Sequence, residues 1–295
     1  MNVLLTNLQL SPFRGTENWC YSVGSELIKQ GHNVSIFSPS PRSGVPFYEQ
    51  AGIPYVTHGT FDLILDNHSV TCPGFNGKII HTCHGTIPAE KPMKNVYSEH
   101  SFHLVNVAVS DLVANHWNLN NISEHSFHSV IPNGIDCGRF KCIKPVNDKI
   151  KTVLSLCSSD KADLILSNIC KKFGYKLITT FHNEVFDVER LINESDIVVG
   201  VGRSLLDAMA CCRPVISFDY RFYVGHPHGL GYIKGNPVLD DNLVGRNITM
   251  TEQDLMNEFL KYDPLDGIKN RYFVLNNRNI IDTVKQYLEV YNEID

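Results

Sequence analysis

The sequence predicts an α/β protein of two domains, each a parallel sheet flanked by helices, and three observations carry that expectation. A length of 295 residues is long for one core and suits two domains of ordinary size. Short apolar runs alternate with amphipathic segments along the whole chain, the pattern of strand–helix–strand units. That alternation restarts after a polar, proline-containing stretch at 141–151, which reads as a linker. The expected bounds are 1–143 for the first domain, 144–278 for the second, and 279–295 for a last helix packing back on the first.

Taken in order, Val3–Leu5 is a first buried strand, and a loop through Pro12 leads to a helix from about Glu17 to Gln30. Cys20, Val23, Leu27 and Ile28 form its apolar face, and Gly31 is its stop. Strands follow at Val34–Phe37, Ile53–Val56, Leu63–Leu65, Ile79–Thr82 and Asn106–Val109. A helix starts at Ser110, and Ser129–Ile131 is the last strand of this half. In the second half Thr152–Leu156, Lys176–Thr180, Ile197–Val199 and Val215–Phe218 read as strands with helices between them. Ile281, Val284, Leu288 and Tyr291 recur at helical spacing and give a final amphipathic helix.

Composition narrows the function. A chain 43% hydrophobic and 19% charged is that of a soluble globular protein. A net charge of -5, with no basic cluster on any expected helix, argues against nucleic acid and against a strong membrane anchor. No apolar run approaches a membrane span, and the opening MNVLLTNLQL lacks the basic flank and cleavage pattern of a signal peptide. Nine cysteines without a Cys-x-x-Cys pair read as reduced core thiols of a cytoplasmic protein.

The chemistry gathers in a few segments. DIVVGVG at 196–202 is an apolar strand broken by Gly200 and Gly202, and SLLDAMACCRPVIS at 204–217 is a short helix, a stop at Pro214 and another strand. The helix start offers the amides of Gly202, Arg203, Ser204 and Leu205 as a cradle for phosphate, with Asp207 just inside. Arg14, Gly15 and Thr16 form a second turn at a helix start, where a glycine lets a ligand approach backbone and Thr16 can cap. His84, in IIHTCHG at 79–85, lies just past a strand end, where parallel sheets bind ligands; His81 lies within the strand or faces away. A lone histidine is more often a core residue than a ligand, so its position does not decide its role.

Other chemistries lack their parts. The His81/His84 pair has no further ligands at metal spacing, so no metal is expected. The Gly200-Val-Gly202 turn mimics a dinucleotide fingerprint but carries Leu205 at the third glycine position. There is no Ser-His-Asp elbow and no Asp-x-Asp motif.

Together these segments resemble the retaining, family-4 glycosyltransferases of the GT-B fold. The stretch 14–38, RGTENWCYSVGSELIKQGHNVSIFS, is similar to their opening Gly-Gly-x-Glu … Gly-His-x-Val signature, with Arg14 in place of the first glycine. AVSDLVANHW at 108–117 and VIPNGIDCGRF at 130–140 look like further landmarks, and 196–217 looks like the donor site. The resemblance implies two Rossmann-like domains facing across a cleft, with the last helix crossing back. It implies metal-independent transfer of a hexose from a nucleoside-diphosphate sugar, of UDP-glucose or GDP-mannose type, to a hydroxyl of a glycan or glycoconjugate acceptor. Anomeric configuration would be retained, with no cofactor beyond the donor.

By the same resemblance His84 reaches the donor sugar and Lys161 neutralises the departing diphosphate. Arg14, Gly15, Thr16 and the turn from Gly202 through Leu205 would hold phosphate, and Asp207 the ribose. The chain also departs from the pattern. Ser155 and Leu156 stand where the family has Gly-Arg, and Val199 stands at the first of its two glutamates. Arg203 is the candidate for supplying the missing positive charge. Two readings of other classes stay beside transfer: a nucleotide-sugar-binding protein without transfer activity, and a GT-B epimerase or hydrolase.

Overall fold

The computed structural model describes residues 1–11, 15–67, 74–86, 104–119, 127–183, 185–235, 237 and 243–294. They divide into two units, Met1–Gly134 with Ile280–Asp295, and Ile135–Asn279. The first unit holds β1 (Asn2–Thr6), α1 (Gly15–Lys29), β2 (Asn33–Phe37), α2 (Val45–Gln50), β3 (Gly59–Asn67), β4 (Phe75–Cys83), β5 (Leu104–Ala108), α3 (Asp111–Leu119) and β6 (Ser129–Val130). The second holds β7 (Thr152–Ser155), α4 (Asp160–Phe173), β8 (Lys176–Thr179), α5 (Val188–Glu194), β9 (Ile197–Gly200), α6 (Arg203–Ala210), β10 (Val215–Asp219), β11 (His228–Ile233), α7 (Glu252–Phe259) and α8 (Asp266–Asn277). The last helix, α9 (Ile280–Glu293), returns to the first unit.

In the first unit all six strands run parallel in the order β2-β1-β3-β4-β5-β6. β1 is an interior strand, and Val3, Leu4 and Leu5 are fully buried, as a strand covered on both faces requires. The order reverses between β1 and β3, which makes their carboxyl ends the switch point where open α/β sheets bind ligands. α9 packs on α1 and β4. Its buried Tyr287 pairs its hydroxyl with Thr82 Oγ1 at 3.0 Å, and Thr283 Oγ1 donates to Pro132 O at 3.0 Å. Gly134 permits that approach, because a Cβ there would lie 2.7 Å from the Cα of Ile280.

The second sheet has the order β11-β10-β9-β7-β8, parallel except for β11, which runs antiparallel to β10. Its strands feed two cores by simple alternation. Leu154, Val198 and Val215 join α5, α6 and α8 on one face; Val153, Ile197, Val199 and Ile216 join α4 and α7 on the other. The switch point here lies between β7 and β9.

Several expectations need correction. Residues 53–56 form no strand: Pro54 has no N–H for a ladder, and only a bridge between Ile36 and Tyr55 remains. The proline-started helix α2 and the glycine-containing strand β11 were not expected. The unit boundary falls at Gly134/Ile135, before the expected 143, because Ile135 and Phe140 are fully buried in the second unit's core. The stretch expected as a linker is pinned there too. Asp196 accepts the Asn147 amide at 3.0 Å through Oδ1, and those of Lys151 and Thr152 at 2.8 and 2.9 Å through Oδ2.

Arg213, next to Pro214, is fully buried and ties three segments together. It donates to Ile192 O at 2.9 Å, Asn193 O at 2.9 Å and Lys144 O at 2.8 Å, while its own carbonyl accepts from Asn270 Nδ2 at 3.2 Å. Arg213→Ala strands these buried carbonyls, so it should destabilise the protein by about 3 kcal/mol, read from denaturant unfolding.

Candidate functional site

The first cluster forms at the carboxyl ends of β1, β3 and β4. Thr6 Oγ1 donates to Asp66 Oδ1 at 2.5 Å, and Asp66 Oδ2 pairs with His81 Nδ1 at 2.6 Å, with all three residues buried. His81 thus lies inside β4 as a core group. Asn67, the next residue of β3, faces the other way by the strand's alternation. Its amide nitrogen reaches Thr6 O at 3.1 Å and Cys20 Sγ at 3.2 Å, and its oxygen lies 2.6 Å from His84 Nε2. The half-buried His84 ring stands edge-on to Trp19, at 5.5 Å between centroids and 79° between planes.

Gly15 opens α1 and is exposed, and a Cβ added to it would meet nothing within 4 Å. Thr16 lies inside α1, so it does not cap the helix; its hydroxyl lies 3.4 Å from both Asn7 Nδ2 and Glu17 Oε2. Arg14 lies outside the described residues.

The second cluster forms where β7, β9 and β10 leave the other sheet. Gly202 has φ 67° and ψ -139°, a combination open to glycine alone, and it turns the chain straight into α6. Gly200 is needed for a different reason: a Cβ there would lie 3.0 Å from Ser204 Oγ and 3.3 Å from Leu156 Cβ. Ser204 Oγ donates to Val201 O at 2.9 Å. The Leu205 amide is donated to Gly202 O at 3.1 Å, so it is occupied by the turn itself. Lys161, exposed in the first turn of α4, lies 4.6 Å over the Tyr220 ring and donates to its hydroxyl at 3.4 Å.

Arg203 is folded inward, 5% exposed, with Nε 3.7 Å from Asp207 Oδ1 one turn along α6. Asp207 is also buried, and that Oδ1 accepts no hydrogen bond among the described residues. Burial pushes its carboxyl up to about 6, against the pull of the Arg203 and Arg139 guanidiniums and with a further push from Glu189. Val199 is inside β9 and fully buried in the α4-side core, so no acid faces a ligand from that position. Asp219 serves the turn: it accepts the amides of Ser158 and Tyr220 at 3.2 and 2.8 Å and Arg221 Nε at 3.0 Å. Among the described residues no group of three His, Cys, Asp or Glu side chains could hold a metal ion.

Asn67 and Tyr220 were missed in the sequence. Each had a signal, since a polar or aromatic residue directly ending an apolar strand sits at the ligand-facing edge of a parallel sheet.

Neither a family model nor a curated protein matches the chain. Solved structures do. Anabaena HepE in complex with UDP-glucose superposes with a TM-score of 0.63 at 13% identity, over 99% of this chain and 100% of that one. The fold is GT-B. AviGT4, a glycosyltransferase involved in avilamycin A biosynthesis, gives a TM-score of 0.58 at 14% identity, covering 99% of this chain and 97% of that one. WaaG, a glycosyltransferase involved in lipopolysaccharide biosynthesis, gives 0.58 at 13% identity, covering 98% and 99%. In this GT-B chain the two clusters occupy the switch points of the two sheets. No helix among the described residues is long and apolar enough to cross a membrane.

The raised Asp207 carboxyl has a stability consequence of fixed sign. Folding strengthens its hold on the proton, so its contribution is greatest below the unfolded value near 4 and is lost as pH rises toward 6. The loss amounts to about 3 kcal/mol. Unfolding of wild type and Asp207→Asn at pH 4 and pH 7 should show that pH-dependent loss in wild type and its removal in the variant.

Proposed function

We propose that the protein is a glycosyltransferase that moves a hexose from a nucleoside-diphosphate sugar to a hydroxyl of a glycan or glycoconjugate acceptor, with retention at the anomeric carbon. The observation that carries this reading is the second cluster: a glycine-only turn opening directly onto a helix start, with a lysine held by an aromatic ring at the same sheet edge. A helix start and a cation at one sheet edge match the charge that builds on a departing diphosphate.

In this reading the Gly202–Ser204 turn and Lys161 bind the diphosphate, and the sequence resemblance assigns His84, Arg14, Gly15 and Thr16 to the donor as well. Asp207 binds the ribose, which requires it to exchange its contact with Arg203 for one with the donor. Arg203, freed by the same exchange, supplies the positive charge that the position of Leu156 lacks. Among the described residues no carboxylate is placed as a nucleophile, and retention is assigned to a front-face path in which the leaving phosphate takes the acceptor proton. UDP-sugars are the first donors to test, since HepE binds UDP-glucose in the same fold.

A second reading, donor binding without transfer, draws on one observation: the first acid of the family pair is absent, with Val199 in the core instead. Nucleoside-diphosphate release measured across UDP-, GDP- and ADP-sugars, with and without an acceptor panel, separates the two. Transfer predicts release from one donor, reduced about 100-fold or more by Lys161→Ala and by His84→Ala. Donor-induced thermal stabilisation with no release from any donor–acceptor pair would favour the binding protein.

A further inference from the structure

We propose that Asn67 is a positioning residue that fixes the protonation pattern of His84; only the kinetic consequence rests on the transfer reading above. The deduction starts from groups whose hydrogen-bonding role is invariant. Thr6 O is a carbonyl and can only accept, so the Asn67 atom 3.1 Å from it is the amide nitrogen. The same nitrogen lies 3.2 Å from Cys20 Sγ. The amide oxygen is thereby turned toward His84, and it too can only accept. His84 Nε2, at 2.6 Å, must carry the hydrogen. In the neutral ring Nδ1 then holds the lone pair.

Two further contacts hold the ring in place. Trp19 stands edge-on to His84, and Trp19 is itself braced edge-on by Tyr287 of α9 at 5.5 Å and 76°. Asn67 is fully buried at the last position of β3, so its side chain has no solvent to turn toward. Its neighbour Asp66 provides the contrast. A carboxylate oxygen faces His81 Nδ1 at 2.6 Å, whereas an amide oxygen, which carries no formal charge, faces His84 Nε2 at 2.6 Å. A neutral ring with its lone pair on Nδ1 accepts from a hydroxyl, the group a sugar supplies, and cannot donate from that nitrogen to an anionic oxygen.

Long-range proton–nitrogen NMR of histidine-labelled protein, titrated without ligand, reads this directly, with His84→Gln assigning the ring. Wild type at neutral to alkaline pH is expected to hold the Nε2–H form. Asn67→Ala is expected to mix the two tautomers, and Asn67→Asp to keep the ring doubly protonated to a pH about one unit higher or more. Donor turnover should fall about tenfold in Asn67→Ala, and its acid limb should move to higher pH in Asn67→Asp. An Nδ1–H ring in wild type, or an unchanged tautomer in a folded Asn67→Ala, would overturn the proposal. Should Asn67→Asp not fold, the wild-type spectrum and Asn67→Ser still decide it. Absence of turnover with every donor counts against the transfer reading, while the tautomer is judged on the spectra alone.

Discussion

Parallel pairing of β7 with β9 and of β1 with β3 constrains everything else, because it sends the chain out of each sheet at one edge. Within the sheets the peptide groups are paired and the side chains form the cores. At the edge, where neighbouring connections leave to opposite sides, backbone and polar groups can meet a ligand. Gly202 makes this literal: its backbone conformation lets α6 begin with only two residues between it and the end of β9, so the helix start stays at the sheet edge. A Cβ at Gly200 would press on Ser204 Oγ and Leu156 Cβ.

Charge is handled differently in the two parts of that edge. Lys161 is exposed and steered by Tyr220, which suits a group that must meet a mobile anion. Arg203 and Asp207 are withdrawn into the protein, where neither is well solvated and their separation of 3.7 Å is longer than a hydrogen bond. Burying two charged groups carries a desolvation cost that their mutual attraction must offset. In the first unit the polar network is closed more tightly, through Thr6, Asp66 and Asn67, and rigidity is what a ring that must present one nitrogen needs.

Most of the fold was legible in the sequence because buried parallel strands write themselves as apolar runs. β1, β4 and β9 lie where those runs predict. β11 was hidden because its two glycines dilute the apolar pattern, and residues 53–56 misled because the apolar run around Pro54 makes only a single bridge to β2. The site was legible where geometry is local, as in the Gly200–Gly202 turn. It was not legible where geometry is long-range. Nothing in the chain near Asn67 announces that it will meet His84, nor near Lys161 that it will meet Tyr220, since sheet order sets both meetings. The inward turn of Arg203 is hidden for another reason: α6 places Asp207 one turn away, but the sequence does not show that this face of the helix is buried.

The central claim is that the second unit's strand edge receives a diphosphate. Backbone amide NMR during titration with UDP and then UDP-glucose tests it without requiring turnover. Saturable shifts led by the Ser204 amide are expected, with Gly202 and Leu205, already bonded to Leu243 O and Gly202 O, responding less. No saturable shift in this turn, or shifts confined to residues away from 156–161 and 200–205, would contradict it.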